Sequence, residues 1–208
     1  MDRLLRAIRD LENSKVRRLV KKRIKEFEAN GRKQNTALFK EMCFCILAAN
    51  FNAERTTQIQ RTVGDGFLTL SRPELSRELR ELGYRFPNTR ASYIFEAQEV
   101  KSSLKGILAS FDNENAMREW LCENVKGLGY KEASHFLRNI GCKNLAIIDS
   151  HIMHLLGDHE LIEMPATLTK KRYLEIEEVL RKISQKAGLS LAELDLYLWY
   201  METGKVLK

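Results

Sequence analysis

Gly127 and Gly129 interrupt a helical stretch with a tight turn, a common feature alone that gains meaning from the residues after it. From Leu121 to Leu156 the chain reads LCENVKGLGYKEASHFLRNIGCKNLAIIDSHIMHLL, with short helical patterns on both sides of Val125-Lys126-Gly127-Leu128-Gly129. Glycines in such a turn admit positive φ and let a phosphate come close, since no Cβ stands in the way. The helix that follows presents unsatisfied N–H groups to an anion. Two helices joined this way suit a nucleic-acid backbone held without reading sequence. Lys131 follows the turn at once, and Asp149 stands eighteen residues further on. Asp149 lies between the apolar run Leu145-Ala146-Ile147-Ile148 and an apolar-periodic one. That is the place of a helix N-cap, facing the same cleft.

The rest of the chain keeps a helical period and nowhere sustains alternation, so the expected fold is all-α, with about ten helices and no internal repeat. Leu4, Leu5, Ile8, Leu11, Val16, Leu19, Val20, Ile24 and Phe27 predict one first helix, stopped by a left-handed Asn30-Gly31. Leu38 to Ala49 is apolar nearly all round, which predicts a central buried helix. Asn52 is placed to cap the next helix, which runs to Val63. Ser71-x-x-Glu74, with Pro73 in the first turn, opens a helix that stops at Gly83. Tyr84-Arg85-Phe86-Pro87 is a non-helical corner. Asn88 then opens a helix to Gly106 with Ala91, Ile94, Phe95, Val100 and Leu104 inward, and Asp112 begins the one that carries Trp120. After Asp149, a helix stops at Gly157, Leu161 to Leu168 is irregular around Pro165, and Thr169 to Ala187 is amphipathic up to Gly188. Ser190-x-x-Glu193 opens the last helix, LAELDLYLWYMET, which Gly204 ends.

The 208 residues carry 35 Lys and Arg against 28 acids, a net charge of +7. That excess suits a polyanionic partner, or is simply a basic surface. The run Lys15, Arg17, Arg18, Lys21, Lys22, Arg23, Lys25 likewise reads as a phosphate contact or as a solvated helix face. No apolar run approaches the roughly 18–20 residues that cross a bilayer, and no signal-peptide pattern opens the chain. The expectation is a cytoplasmic protein with no membrane partner. Cys43 and Cys45 point to different faces of one helix, while Cys122 and Cys142 are isolated, so neither a metal site nor a cofactor is expected. In a reducing compartment such cysteines are small buried apolar groups.

Val-x-Gly-Leu-Gly-Tyr-Lys-x-Ala, followed by an aspartate eighteen after the lysine, resembles the helix-hairpin-helix DNA glycosylases, in their bifunctional glycosylase/lyase branch. Lys126 replaces the proline usual before the first glycine of that hairpin. Some relatives carry a four-cysteine iron–sulfur loop near the C-terminus, and here no cysteine lies beyond Cys142. The short length and the ending LWYMETGKVLK are similar to the type 2 8-oxoguanine DNA glycosylase/AP lyases, over nearly the whole chain. The resemblance implies a two-lobed helix-hairpin-helix fold with a cleft between the lobes. Residues 36–125 would form a six-helix barrel, and 1–35 plus 126–208 the second lobe with the hairpin and catalytic residues. It also implies a monomer, associated with the nucleoid, that acts on double-stranded DNA containing 8-oxoguanine. Lys131 would be the nucleophile and Asp149 its partner.

The chemistry is consistent with those roles. A base must leave the stack before its glycosidic carbon can be reached. Asn50, Phe51, Asn52 and Arg55 sit at a helix junction of the kind that holds the orphaned partner in relatives. Arg85 and Phe86 form a second corner, with Phe86 either an intercalating wedge or a core residue. Arg55 and Arg85 are planar donors that suit the acceptors of an orphaned cytosine. Lys131, when neutral, attacks the sugar C1′ to give a Schiff base that acidifies C2′ and leads to β-elimination. Asp149 assists deprotonation and stabilises the oxocarbenium charge. Trp199 is a candidate surface for stacking the damaged purine. In the tail, Val206 and Leu207 either fold back, fixing Lys208 and its α-carboxylate, or fray. A carboxylate accepts from the N7–H that distinguishes 8-oxoguanine from guanine, and an ammonium donates to O8; in the type 2 family the tail is implicated in that reading. His151 and His154 lack a further ligand to make a metal site with Asp149, and His154 is expected to be packed or cleft-lining. Two other readings stay open: a hairpin DNA-binding module without catalysis, and a glycosylase for another oxidised base.

Overall fold

The organising element is a helix with no polar face. In the computed structural model, which describes residues 1–208, α3 (Asn35–Ala48) buries Leu38, Phe39 and every residue from Glu41 to Ala48. An element buried on all sides must be surrounded. Around it follow α4 (Ala53–Val63), α5 (Gly66–Thr69), α6 (Arg72–Glu81), α7 (Pro87–Ala97), α8 (Leu104–Ala109), α9 (Glu114–Asn124) and α10 (Tyr130–Asn139). Ahead of them come α1 (Asp2–Glu12) and α2 (Val16–Gly31); after them come α11 (Ser150–Asp158), α12 (Lys170–Ala187) and α13 (Leu191–Thr203). There is no strand.

Three apolar clusters hold these helices. One gathers α3 to α10, from Leu38 and Phe44 to Leu128, Phe136 and Leu145. A second joins α1, α11, α12 and α13 through Leu4, Ile8, Ile152, Ile176 and Leu198. A third packs α2 on α13 through Val20, Phe27 and Tyr197. Between the first two clusters lies the buried pair Arg118–Glu177, bidentate at 2.6 and 2.9 Å. Glu177 also accepts from the Ala146 N–H at 2.9 Å, while the Tyr173 hydroxyl donates to Ala146 O at 2.7 Å. Side chains of α12 thereby bind the backbone of Ala146 and Ile148 in the stretch that delivers Asp149.

Several local expectations need correction. The first helix is two, because the Ser14 hydroxyl donates to Leu11 O at 2.8 Å and accepts from Val16 N–H at 3.1 Å, offering the backbone an alternative to the helix. Gly31 is not a left-handed stop but the last residue of α2. A Cβ there would lie 2.0 Å from Ile140 O, so α2 needs glycine to approach the end of α10. Gly31→Ala should therefore destabilise the protein by about 1–3 kcal/mol, the usual cost of overpacking, although alanine favours a helix. Urea titration measures this, and an unchanged or raised midpoint would contradict it.

Pro87 rather than Asn88 begins α7, and that helix ends at Ala97 with a 3-10 turn over Gln98–Val100, while Gly106 lies inside the separate α8. Phe95 faces solvent, 49% exposed. Asn113, not Asp112, caps α9, accepting from Ala116 N–H at 2.9 Å. Gly157 lies within α11. The four-residue α5 is too short for a period to reveal.

Candidate active site

The hairpin joins α9 to α10. Val125 and Leu128 anchor its turn in the first cluster. Gly127 has φ +89°, and a Cβ on it would sit 2.6 Å from the Tyr93 ring. Gly129 is different: at φ −87° and ψ −171° it is the extended N-cap of α10, not a second positive-φ residue. Lys126 pairs with Glu96 at 2.9 Å.

Lys131 lies in the first turn of α10, with its side chain 24% exposed and its ammonium 3.4 Å from Glu132 Oε1. The other Glu132 oxygen is the nearest atom to the space a Gly129 Cβ would take, at 3.3 Å. A carboxylate thus already rests at the helix N-terminus, where backbone dipoles favour negative charge. Asp149 caps α11, its Oδ1 accepting from Ile152 N–H at 3.0 Å. Both charges reach a third group, Asp195 of α13, which burial pushes up to about 6 against the pull of the Arg138 guanidinium bound to it, with Asp149 pushing the same way as burial. The contact of Arg138 with Asp195, 57 residues apart, had no local signature.

His135 was also missed, although it stands four residues after Lys131, one turn along the same face. It is 9% exposed, meets Phe44 edge-on at 5.6 Å, and leaves Nε2 without a partner. Burial holds its imidazole well below the ordinary range, helped by the nearby charges of Arg138, Lys131 and Lys208, so it is neutral.

Trp199 is half-buried on α13, edge-on to the exposed His151 ring at 5.1 Å, and its indole N–H is buried without an acceptor. His154 is exposed, which removes the packed alternative and leaves the cleft-lining one. No group of three His, Cys, Asp or Glu side chains is arranged to hold a metal ion. Burial pushes the thiols up, Cys122 to about 11 and Cys142 to about 12, with Cys43 and Cys45 raised strongly too, so none is a ready nucleophile.

The two proposed DNA-facing corners lie side by side. Phe51 packs tilted against Tyr84 with ring centres 4.5 Å apart, and Arg55 covers the Phe51 ring at 5.6 Å while touching the space above Gly83. Asn50 turns the chain at φ +55°, and the Asn52 side chain accepts from Arg55 N–H at 3.0 Å. Arg85 lies 4.9 Å from the centre of the Phe86 ring, and Phe86 is 37% exposed, so it is not a core residue.

The tail is folded back. Lys205 pairs with Glu54, Val206 packs on the α2–α13 cluster, and Arg23 donates to Val206 O at 3.4 Å. Lys15, the N-cap of α2, and Arg17, Arg18, Lys21, Lys22 and Lys25 on it are exposed, whereas Arg23 pairs with Glu26 at 2.6 Å. A polar cavity of about 770 Å³ between α9 and α12 contains none of these candidate residues, and its acids, among them Glu114, Glu119 and Glu178, disfavour phosphate. No helix is long and apolar enough to cross a membrane.

Residues 20–189 match the family model described as 8-oxoguanine DNA glycosylase. A Methanocaldococcus jannaschii protein named 8-oxoguanine DNA glycosylase/AP lyase is 52% identical over 206 residues, 99% of either chain. A protein of the same name from Korarchaeum cryptofilum is 51% identical over 100% of this chain and 99% of its own. The crystal structure of the M. jannaschii 8-oxoguanine glycosylase/lyase with a 15mer DNA containing 8-oxoguanine superposes with a TM-score of 0.96 at 51% identity, over 99% of both chains. The Thermotoga maritima 8-oxoguanine DNA glycosylase gives 0.94 at 42% identity, covering 100% of this chain and 99% of that one. With the hairpin, its lysine and the capping aspartate in place along a chain matched from end to end, this protein belongs to the 8-oxoguanine DNA glycosylase family.

Proposed function

We infer that the chain is a bifunctional DNA N-glycosylase/AP lyase that excises 8-oxoguanine from double-stranded DNA. The observation that carries this reading is Lys131 in the first turn of the helix after the hairpin, in a chain that also sets Asp149 as the N-cap of α11. With the lesion turned out of the stack, the unprotonated Lys131 Nζ attacks C1′. The glycosidic electron pair leaves with the base. Asp149, with one oxygen held by its own helix, offers the other to the cationic sugar and to the proton lost from Nζ. Opening of the C1′–O4′ bond yields the Schiff base. Loss of a C2′ proton then expels the 3′-phosphate.

Around that centre we assign Gly127, Gly129 and the start of α10 to the phosphate backbone, and Trp199 to stacking on the base. Asn50, Asn52, Arg55, Arg85 and Phe86 take the opened duplex, with Phe86 as the wedge. Its exposure and its Arg85 partner support that role. The division into a barrel of residues 36–125 and a second lobe of 1–35 plus 126–208 is supported by the separate apolar clusters, though α10 also inserts Phe136 and Leu137 into the first. A monomer acting at the nucleoid, in the cytoplasm, completes the reading.

The tail is assigned to the lesion. Deleting Val206 to Lys208 should cut release of 8-oxoguanine by roughly 100-fold, the scale of a lost positioning contact, and strand cleavage at a plain abasic site far less. Parallel single-turnover assays on the two duplexes measure this. Equal loss of both activities, or loss of neither, would show that the tail does not read the base.

A further inference from the structure

Glu41 is the only acid in α3, and it faces the first cluster rather than solvent. A buried carboxylate is tolerated only when paired and hydrogen-bonded. Its partners come from far along the chain. Asn139 Nδ2 donates to Oε1 at 2.7 Å, and Gln60 Nε2 to Oε2 at 3.3 Å. The Lys208 ammonium donates to Oε1 at 3.2 Å and to Oε2 at 2.9 Å, and also to Gln60 Oε1. The same ammonium sits 4.1 Å from the centre of the Phe44 ring. Glu41 and Lys208 side chains are 10% and 17% exposed.

An ammonium has three donors, and these partners with the aromatic face use them all. Lys208 Nζ is therefore a tether, not a donor waiting for O8. What it fixes is the other end of the residue, the α-carboxylate. We propose that Glu41, with Gln60 and Phe44, is a positioning residue: it anchors the Lys208 ammonium so that the α-carboxylate is held where it accepts the N7–H of 8-oxoguanine. The tether also runs inward. Asn139 Oδ1 accepts from Arg138 at 2.9 Å, and Arg138 holds Asp195, the acid that feels both Lys131 and Asp149. One polar chain, Lys208–Glu41–Asn139–Arg138–Asp195, thus holds the tail to α3, α10 and α13. This rests on the tail reading given above.

The test compares Glu41→Gln, Lys208→Met, the double variant and a chain lacking Lys208, each assayed for 8-oxoguanine release and for cleavage of a preformed abasic site. Glu41→Gln should lower release by roughly 100-fold, with abasic-site cleavage changed by less than about threefold. Lys208→Met keeps the terminal carboxylate and leaves α3 untouched, so it should show the same loss even if Glu41→Gln misfolds. The double variant should be no worse than Lys208→Met alone, because one contact is removed twice. Near-wild-type release by Lys208→Met, with loss only when Lys208 is deleted, would overturn the tether and leave the tail reading intact. Wild-type release without Lys208 would overturn the tail reading itself. Equal loss of both activities in Lys208→Met would reduce the pair to a structural one.

Discussion

Lys131→Gln should abolish borohydride trapping and lower base release and strand cleavage by roughly 10^5–10^6-fold, the scale of losing a covalent nucleophile. Glutamine is one atom shorter, stays polar, and has no amine to form an imine. Affinity for a lesion duplex should stay within about fivefold, since one partly exposed charge is lost and the phosphate grip comes mainly from backbone N–H groups. The Glu132 carboxylate keeps its place at the helix N-terminus, so the fold of the hairpin should not change. A Lys131→Gln protein that still becomes covalently attached to DNA would sink the assignment.

Asp149→Asn carries the second large effect, a fall of about 10²–10⁴-fold in the single-turnover rate with little change in affinity. Asparagine caps a helix as well as aspartate does, so the bond to Ile152 N–H should survive and thermal stability should move little. What is lost is the negative charge, and that matters most when the sugar becomes cationic. Measuring rate and melting temperature on the same preparation separates the roles. An unchanged rate would leave Asp149 a helix cap and nothing more.

Features written in adjacent residues were legible. The capping boxes at Ser71 and Ser190, the Asn52 and Asp149 caps, and the left-handed Gly188 and Gly204 all formed as their local chemistry dictates. The apolar run of α3 marked the centre of the fold because full burial leaves no polar face. Features set by distant partners were not legible. Glu41 left no mark in the local pattern, since its partners stand 19, 98 and 167 positions away. Asp195 sits in an apolar-rich helix, and only Arg138, 57 residues off, reveals its purpose. Gly31 was misread for the same reason: a local rule supplied a stop, whereas Ile140 O, across the interface, demands the missing Cβ. Phe95 kept the helical register, yet no element covers that side of α7. Periodicity tells which face is apolar, not which element arrives to bury it.

The central claim is that a covalent bond forms between Lys131 and the lesion sugar. Its most direct test is borohydride reduction of the wild-type protein on a duplex carrying 8-oxoguanine, followed by proteolysis and mass mapping of the adduct. The sugar remnant should be found on the peptide containing Lys131, in a yield that approaches one adduct per active molecule. An adduct mapped to Lys126, Lys205 or Lys208 with Lys131 unmodified, or base release with no adduct at all, would contradict it.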